Sequence, residues 1–256
     1  KEPYDAAAGL GNDYNSLPTW ESDKLKASYL DVMKAGFQTH THSIGDAATN
    51  MCLDALEYAQ TELGEGDFRN VITHLQVVDD TDYPRFGELK IIAAIQPFWH
   101  LMEPDWYDYV DKVALGSDRA WHEYPARSLA DNGAIITISG DYPVTSVNNP
   151  FFGIEAEVTR NIYNEEYYGF DIDDPDDPTY LLNPEERLTV KEMIEAYTIN
   201  SAYQLFREKE TGSLAVGKYA DFIILDSDPF NIDVLDIDGI QVLTTVLQGE
   251  TVYEIK

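Results

Sequence analysis

Apolar positions along the chain follow two alternating rhythms. Four short runs read as β-strands: Gly36–His42 (GFQTHTH), Asn70–Leu75 (NVITHL), Ile91–Gln96 (IIAAIQ) and Ala134–Ser139 (AIITIS). The last three are rich in Ile, Val, Ala and Thr, the composition of parallel strands covered on both faces. The first is more polar and partly alternates. Between them the spacing turns helical. After Ser22, an N-cap residue type, the stripe Leu25, Tyr29, Val32, Met33 runs to a stop at Gly36. After Asp46, the residues Ala48, Met51, Cys52, Ala55, Leu56 and Ala59 line one face of a helix. Weaker helical patterns cover Asp80 to Leu89 and Tyr124 to Ala130.

This alternation predicts βαβ units and a parallel sheet, an α/β fold. A closed (β/α)8 barrel needs eight strands and typically about 250 residues, so four units amount to half of one. The acidic stretch Asp171–Pro178 (DIDDPDDP) lacks the spacing and glycine of a calcium loop and reads as a solvated insertion. Leu188–Gln204 is a helix, with Thr189 and Glu192 spaced as a capping box and Val190, Met193, Ile194 and Tyr197 on its apolar face. From Gly212 onward, Gly212–Leu214, Ala220–Leu225, Ile240–Leu247 and Thr251–Ile255 are β-like, and Gln248-Gly249-Glu250 reads as a hairpin turn.

Charge narrows the possible partners. The 256 residues carry 17 Lys+Arg against 47 Asp+Glu, a net charge of −30. Such a surface repels phosphate backbones and anionic headgroups, so neither nucleic acid nor membrane is expected as a partner. Cytoplasm is the default compartment. No apolar run approaches the ~18 residues of a membrane span. Cys52, the single cysteine, lies on a buried helical stripe and reads as core rather than as a nucleophile. The start Lys1-Glu2-Pro3-Tyr4 has neither an initiator Met nor an apolar leader, the expectation being a piece of something longer.

Candidate chemistry gathers at strand ends. All five histidines fall in the first half, and His42, His74 and His100 stand at or just past the C-terminal ends of three strands. Asp141 follows the fourth strand in Ser139-Gly140-Asp141-Tyr142-Pro143. In a parallel α/β fold that edge carries the ligand site. Imidazoles and a carboxylate there suit a Zn²⁺-type ion. His40 shares a strand face with His42 and is expected one layer deeper as packing; the rival is a chelating pair formed by His40 and His42 themselves. His122 reads as a surface residue. No G-x-S-x-G, Walker loop or G-x-G-x-x-G occurs.

Several ordered segments resemble one family. Gly36–Ala48 (GFQTHTHSIGDAA) resembles the H-x-I-G-D-x-A segment of the amidohydrolase superfamily, in the subgroup containing N-substituted formamide deformylases and AepA-type exoenzyme regulatory proteins. Val71–Gln76 is similar to its I-x-H-x-Q strand, Ile95–His100 to its Q-P-x-H segment, and Ser139–Val144 to its S-D-x-P-V segment on strand eight. Ala196–Ala202 and Gly212–Phe222 (GSLAVGKYADF) resemble its last barrel helix and the return to its β-sandwich.

The resemblance implies the C-terminal half of a metal-dependent hydrolase (β/α)8 TIM barrel over residues 1–205. The closing strands of a composite β-sandwich would fill 206–256. It implies hydrolysis of a non-peptide carbon–nitrogen bond, amide or formamide-like, with one or two divalent metal ions, zinc by preference. His42 and His74 would be metal ligands, Asp141 a metal-side carboxylate and general base, and His100 a neighbour of the substrate or developing oxyanion.

The family's first-strand H-x-H, its bridging Lys or acidic ligand and the first half of its sandwich have no counterpart here. Gly140 also replaces the family's usual Ser. A lone chain is therefore expected to be inactive without the N-terminal half of the same protein, and to self-associate through open barrel edges. The alternative is a non-catalytic regulatory or binding module on a degenerate scaffold.

Overall fold

The computed structural model describes residues 1–169 and 171–255. They fall into two compact units, Lys1–Ile95 with Met102–Ile136, and Gln96–Leu101 with Thr137–Lys256. Among the described residues no helix is long and apolar enough to cross a membrane.

The first unit is built on a sheet with strands in the order β1 (His40–Ser43), β2 (Val71–His74), β3 (Ile92–Ile95) and the start of β4 (Ile135–Ile138). β1 pairs with β2, and β2 with β3, in parallel, with Ser43 opposite His74 and Val71 opposite Ile92. All four residues of β3 are buried, as its unbroken apolar run predicts. Helix α1 (Ser22–Lys34) buries Leu25, Tyr29 and Met33, leaving Val32 at the exposed margin of the stripe. Its N-cap is Glu21, not Ser22, and no side chain caps it. Gly36, at φ 84°, turns the chain out of the helix.

Helix α2 (Asp46–Leu63) packs against α1 and buries Cys52, Leu53, Ala55, Leu56 and Ala59. Full burial of Leu53 and Leu56 contributes about 1.5–3 kcal/mol each. The segment expected as a helix from Asp80 is a 3₁₀ turn, Asp80–Asp82, followed by α3 (Tyr83–Glu88) with Pro84 in its first turn.

The second unit has its own core of Phe98, Leu101, Ala156, Ile162, Tyr163 and Ile172. Its central helix, Pro150–Thr159, starts where the Asn149 side chain accepts the Phe151 N–H, with Pro150 in the first turn. Thr189 and Glu192 form the expected capping box on the helix Val190–Glu195. The rest of the expected helix widens into a π-turn, Ala196–Asn200, before Ser201–Gln204. Side-chain hydroxyls account for the widening: Thr198 donates to the Ile194 carbonyl and Ser201 to the Ala196 carbonyl, competing with the main-chain ladder.

A three-stranded antiparallel sheet ends the chain: β5 (Phe222–Leu225), β6 (Val242–Leu247) and β7 (Glu250–Glu254). Gln248 and Gly249, both at positive φ, make the hairpin turn. Gly212–Leu214 is not a strand. Gly212 sits at φ 81° so close to the preceding helix that a Cβ there would stand 2.6 Å from Ala202. The Asp171–Pro178 stretch is loop, its Asp174 and Asp177 side chains accepting local N–H groups.

Candidate functional site

In the first unit two of the expected residues meet. His42 near the end of β1 and His74 at the end of β2 face each other, with Nδ1 of His42 2.8 Å from Nε2 of His74 and ring centroids 4.6 Å apart. His42 is exposed and His74 half-buried. The backbone brings them together in an unusual way. His74 and Leu75 both lie in the left-handed region, at φ 74° and 56°, two consecutive residues with side chains that disfavour it. Each such residue costs of the order of 1–3 kcal/mol, and strain of this kind gathers at functional sites. Leu75, buried, and its N–H to the Ser43 carbonyl hold the turn in place.

His40 is exposed on β1 rather than packed. Partial burial and the neighbouring His42 and His74 imidazoles lower its pKa. Among the described residues, no group of three or more His, Cys, Asp or Glu side chains is arranged to hold a metal ion. The His42–His74 pair is still a fitting donor set for the family's metal. It offers two imidazole nitrogens 2.8 Å apart, the donor type that borderline-soft ions such as Zn²⁺ take.

Just beyond His74 lies a carboxylate group that sequence reasoning missed. Gln76 Nε2 donates to Glu123 Oε1 at 2.6 Å and approaches Asp111 at 3.4 Å. Burial, with Glu103 nearby, pushes Asp111 up to about 6. Burial and the adjacent carboxylates push Tyr107 to about 12. Tyr107–Asp111 forms a π-turn, a local widening for which the sequence carries no simple signal.

The other two expected residues lie in the second unit. Asp141 is half-buried, with φ 53°, again left-handed. Its carbonyl accepts the Val144 N–H at 2.7 Å and the Thr145 N–H at 3.3 Å. His100 lies in a closed setting. It is fully buried, and its Nδ1 lies 2.5 Å from Oε2 of Glu157, itself fully buried. Burial lowers the His100 pKa and the Glu157 charge opposes it, the two side chains standing as a close pair sealed from solvent. Arg160, at 3.9 Å and also without exposure, supplies the countercharge. Glu157 and Arg160 sit on and after a helix with no polar face, where the Asn149-Pro150 start signal was the available clue. His122 is exposed, as expected, its Nδ1 2.8 Å from the Asp118 carbonyl.

Comparison with known proteins sets these residues in a wider frame. Residues 1–253 match the model of the amidohydrolase family. The chain is 32% identical over 253 residues to the protein LONG AFTER FAR-RED 3 of Arabidopsis thaliana, covering 98% of this chain and 40% of that protein. It is 30% identical to the putative amidohydrolase YtcJ of Bacillus subtilis (strain 168), covering 99% of this chain and 44% of that protein. An uncharacterized metal-dependent hydrolase from Pyrococcus furiosus has a similar structure, with a TM-score of 0.67 and 26% identity over 90% of this chain and 41% of that one. The chain spans about two fifths of the length of these relatives.

Proposed function

This chain belongs to the amidohydrolase family, and from that premise we propose that it supplies the strand-five-to-eight half of a (β/α)8 barrel in a metal-dependent hydrolase. The bond cleaved is a non-peptide carbon–nitrogen bond of an amide or formamide. Residues 1–205 belong to the barrel and 206–256 to the closing strands of a sandwich. The N-terminal half of the same protein completes both. The observation that carries the reading is the His42–His74 pair, brought face to face at 2.8 Å by a strained backbone.

His42 and His74 would hold the metal through their ring nitrogens, and Asp141 through its carboxylate. When bound, the metal polarises the substrate carbonyl and lowers the pKa of water towards about 7. Asp141 takes the proton of the attacking water and later delivers it to the leaving nitrogen. The carbon–nitrogen bond breaks, the water oxygen stays on the carbonyl carbon, and the products are a carboxylic acid and an amine. Zinc content and hydrolysis of a panel of N-formyl amines, measured on the full-length protein, test the reading. Loss of both on His74→Ala supports it, and hydrolysis that survives the substitution contradicts it.

A further inference from the structure

We propose that the turn after β3, Gln96–His100, is the element that positions Asp141, with Gln96 as the positioning residue and His100–Glu157 as the anchor of the turn. The inference rests on the reading of Asp141 as the working carboxylate, and every contact it uses lies within the second unit. Gln96 is buried, and its Nε2 donates to the Ser139 hydroxyl at 2.8 Å, two residues before Asp141. The next link is Phe98. A Cβ at Gly140 would stand 3.5 Å from its ring, so the turn also backs the residue between Ser139 and Asp141.

Beyond Asp141, the Thr145 hydroxyl donates to the Gly140 carbonyl, while the Val144 and Thr145 N–H groups close on the Asp141 carbonyl. The loop bearing Asp141 is thus tied on one side by Gln96 and on the other by its own following turn. This matters because Asp141 occupies a left-handed conformation, which persists only where its surroundings over-determine it.

The far end of the same turn is fixed more firmly still. His100 Nδ1 lies 2.5 Å from Oε2 of Glu157 on the Pro150–Thr159 helix, with both side chains sealed from solvent. Phe98, between the two ties, packs edge-on against Tyr163 at 5.5 Å in the core. Gln96 therefore reaches Ser139 from a fixed base and needs no rearrangement to hold it. Gln96 acts on Asp141 through Ser139 and the backbone that follows it, and loss of a group that orients a metal-side ligand costs about 10-fold in metal affinity.

The test uses Gln96→Leu and Ser139→Ala, which remove one hydrogen bond without opening the His100–Glu157 anchor. Amide exchange at Val144 reads the loop directly. Zinc affinity, by competition with a chromophoric chelator on the full-length protein, reads the carboxylate. Each variant is expected to speed Val144 exchange and to weaken zinc by about 10-fold, with the melting temperature and Ile154 exchange unchanged. The double variant should be no worse than either single one. Ser139→Thr, which keeps the hydroxyl, should behave as the parent.

Val144 exchange that stays at the parent rate in both variants overturns the proposal. So does exchange that rises equally at Ile154, since that is general loosening. Asp141→Asn separates the premise from the inference. If that change leaves zinc affinity intact, the role given to Asp141 fails, while the tie through Gln96 is still judged by Val144 alone.

Discussion

Two strand-end histidines with the same sequence signature meet opposite fates. His74 ends β2 on a strained backbone, half-open to solvent, its ring turned to His42. His100 lies past β3 and is sealed, its ring spent on Glu157. Position at the C-terminal edge of a parallel strand therefore does not by itself make a ligand. The residues just past the strand decide it. Past β2, two left-handed residues keep the imidazole at the surface. Past β3, Pro97-Phe98-Trp99 forms a 3₁₀ turn that carries His100 back into the core. The open pair is the one proposed to hold a metal, while the sealed ring is packed against a buried carboxylate.

Stability separates the two settings most strongly. Glu157→Ala removes the buried carboxylate that stands beside both Arg160 and His100, and should cost about 3–5 kcal/mol. Thermal melting should fall by on the order of 10 °C. His42→Ala, on the exposed strand face, should change stability by no more than about 0.5 kcal/mol. Equal effects would erase the distinction between them.

Acid separates them further. The folded His100 has a depressed pKa, so below the unfolded value of about 6.5 the unfolded chain binds the extra proton. Stability should then fall with falling pH, by at most about 1.4 kcal/mol per pH unit for this one group. Asp111 in the other unit works in reverse. Raised to about 6 from the ordinary 3.8, it binds its proton more tightly when folded, and its contribution is lost as pH rises through that window. Urea unfolding from pH 4 to 8 on Asp111→Asn should remove that opposing slope. An unchanged profile would contradict the burial assigned to it.

Strain gives a smaller effect with a distinctive sign. His74→Gly removes a side chain from φ 74° and should stabilise the chain by about 1 kcal/mol while removing a proposed ligand. Loss of stability in chemical denaturation would show the left-handed turn to be unstrained. Smallest of all is Gly140→Ser, which restores the residue usual in the family. With 3.5 Å of room to Phe98 it should shift stability by less than about 0.5 kcal/mol. A larger loss would mean that the loop before Asp141 admits no side chain.

Much of this is legible in the chain itself. The all-apolar run of β3, the stripe of α2 and the Thr189–Glu192 box each state their structure locally, through period or cap chemistry. His42 and His74 are legible as strand-end residues for the same reason. Glu157 is not, because a carboxylate in the middle of an apolar helix gives no sign of which distant ring will meet it. The burial of His100 depends on that pairing and escapes the sequence with it. The π-turns at Tyr107–Asp111 and Ala196–Asn200 depart from the 3.6-residue ladder locally, and apolar periodicity does not register such a widening.

The most direct measurement is the zinc content of the full-length protein, by elemental analysis after dialysis, for the parent, His74→Ala and His100→Gln. The predicted result is stoichiometric zinc in the parent, its loss in His74→Ala, and its retention in whatever His100→Gln protein remains folded. Zinc retained by His74→Ala would contradict a metal held by the open histidine pair.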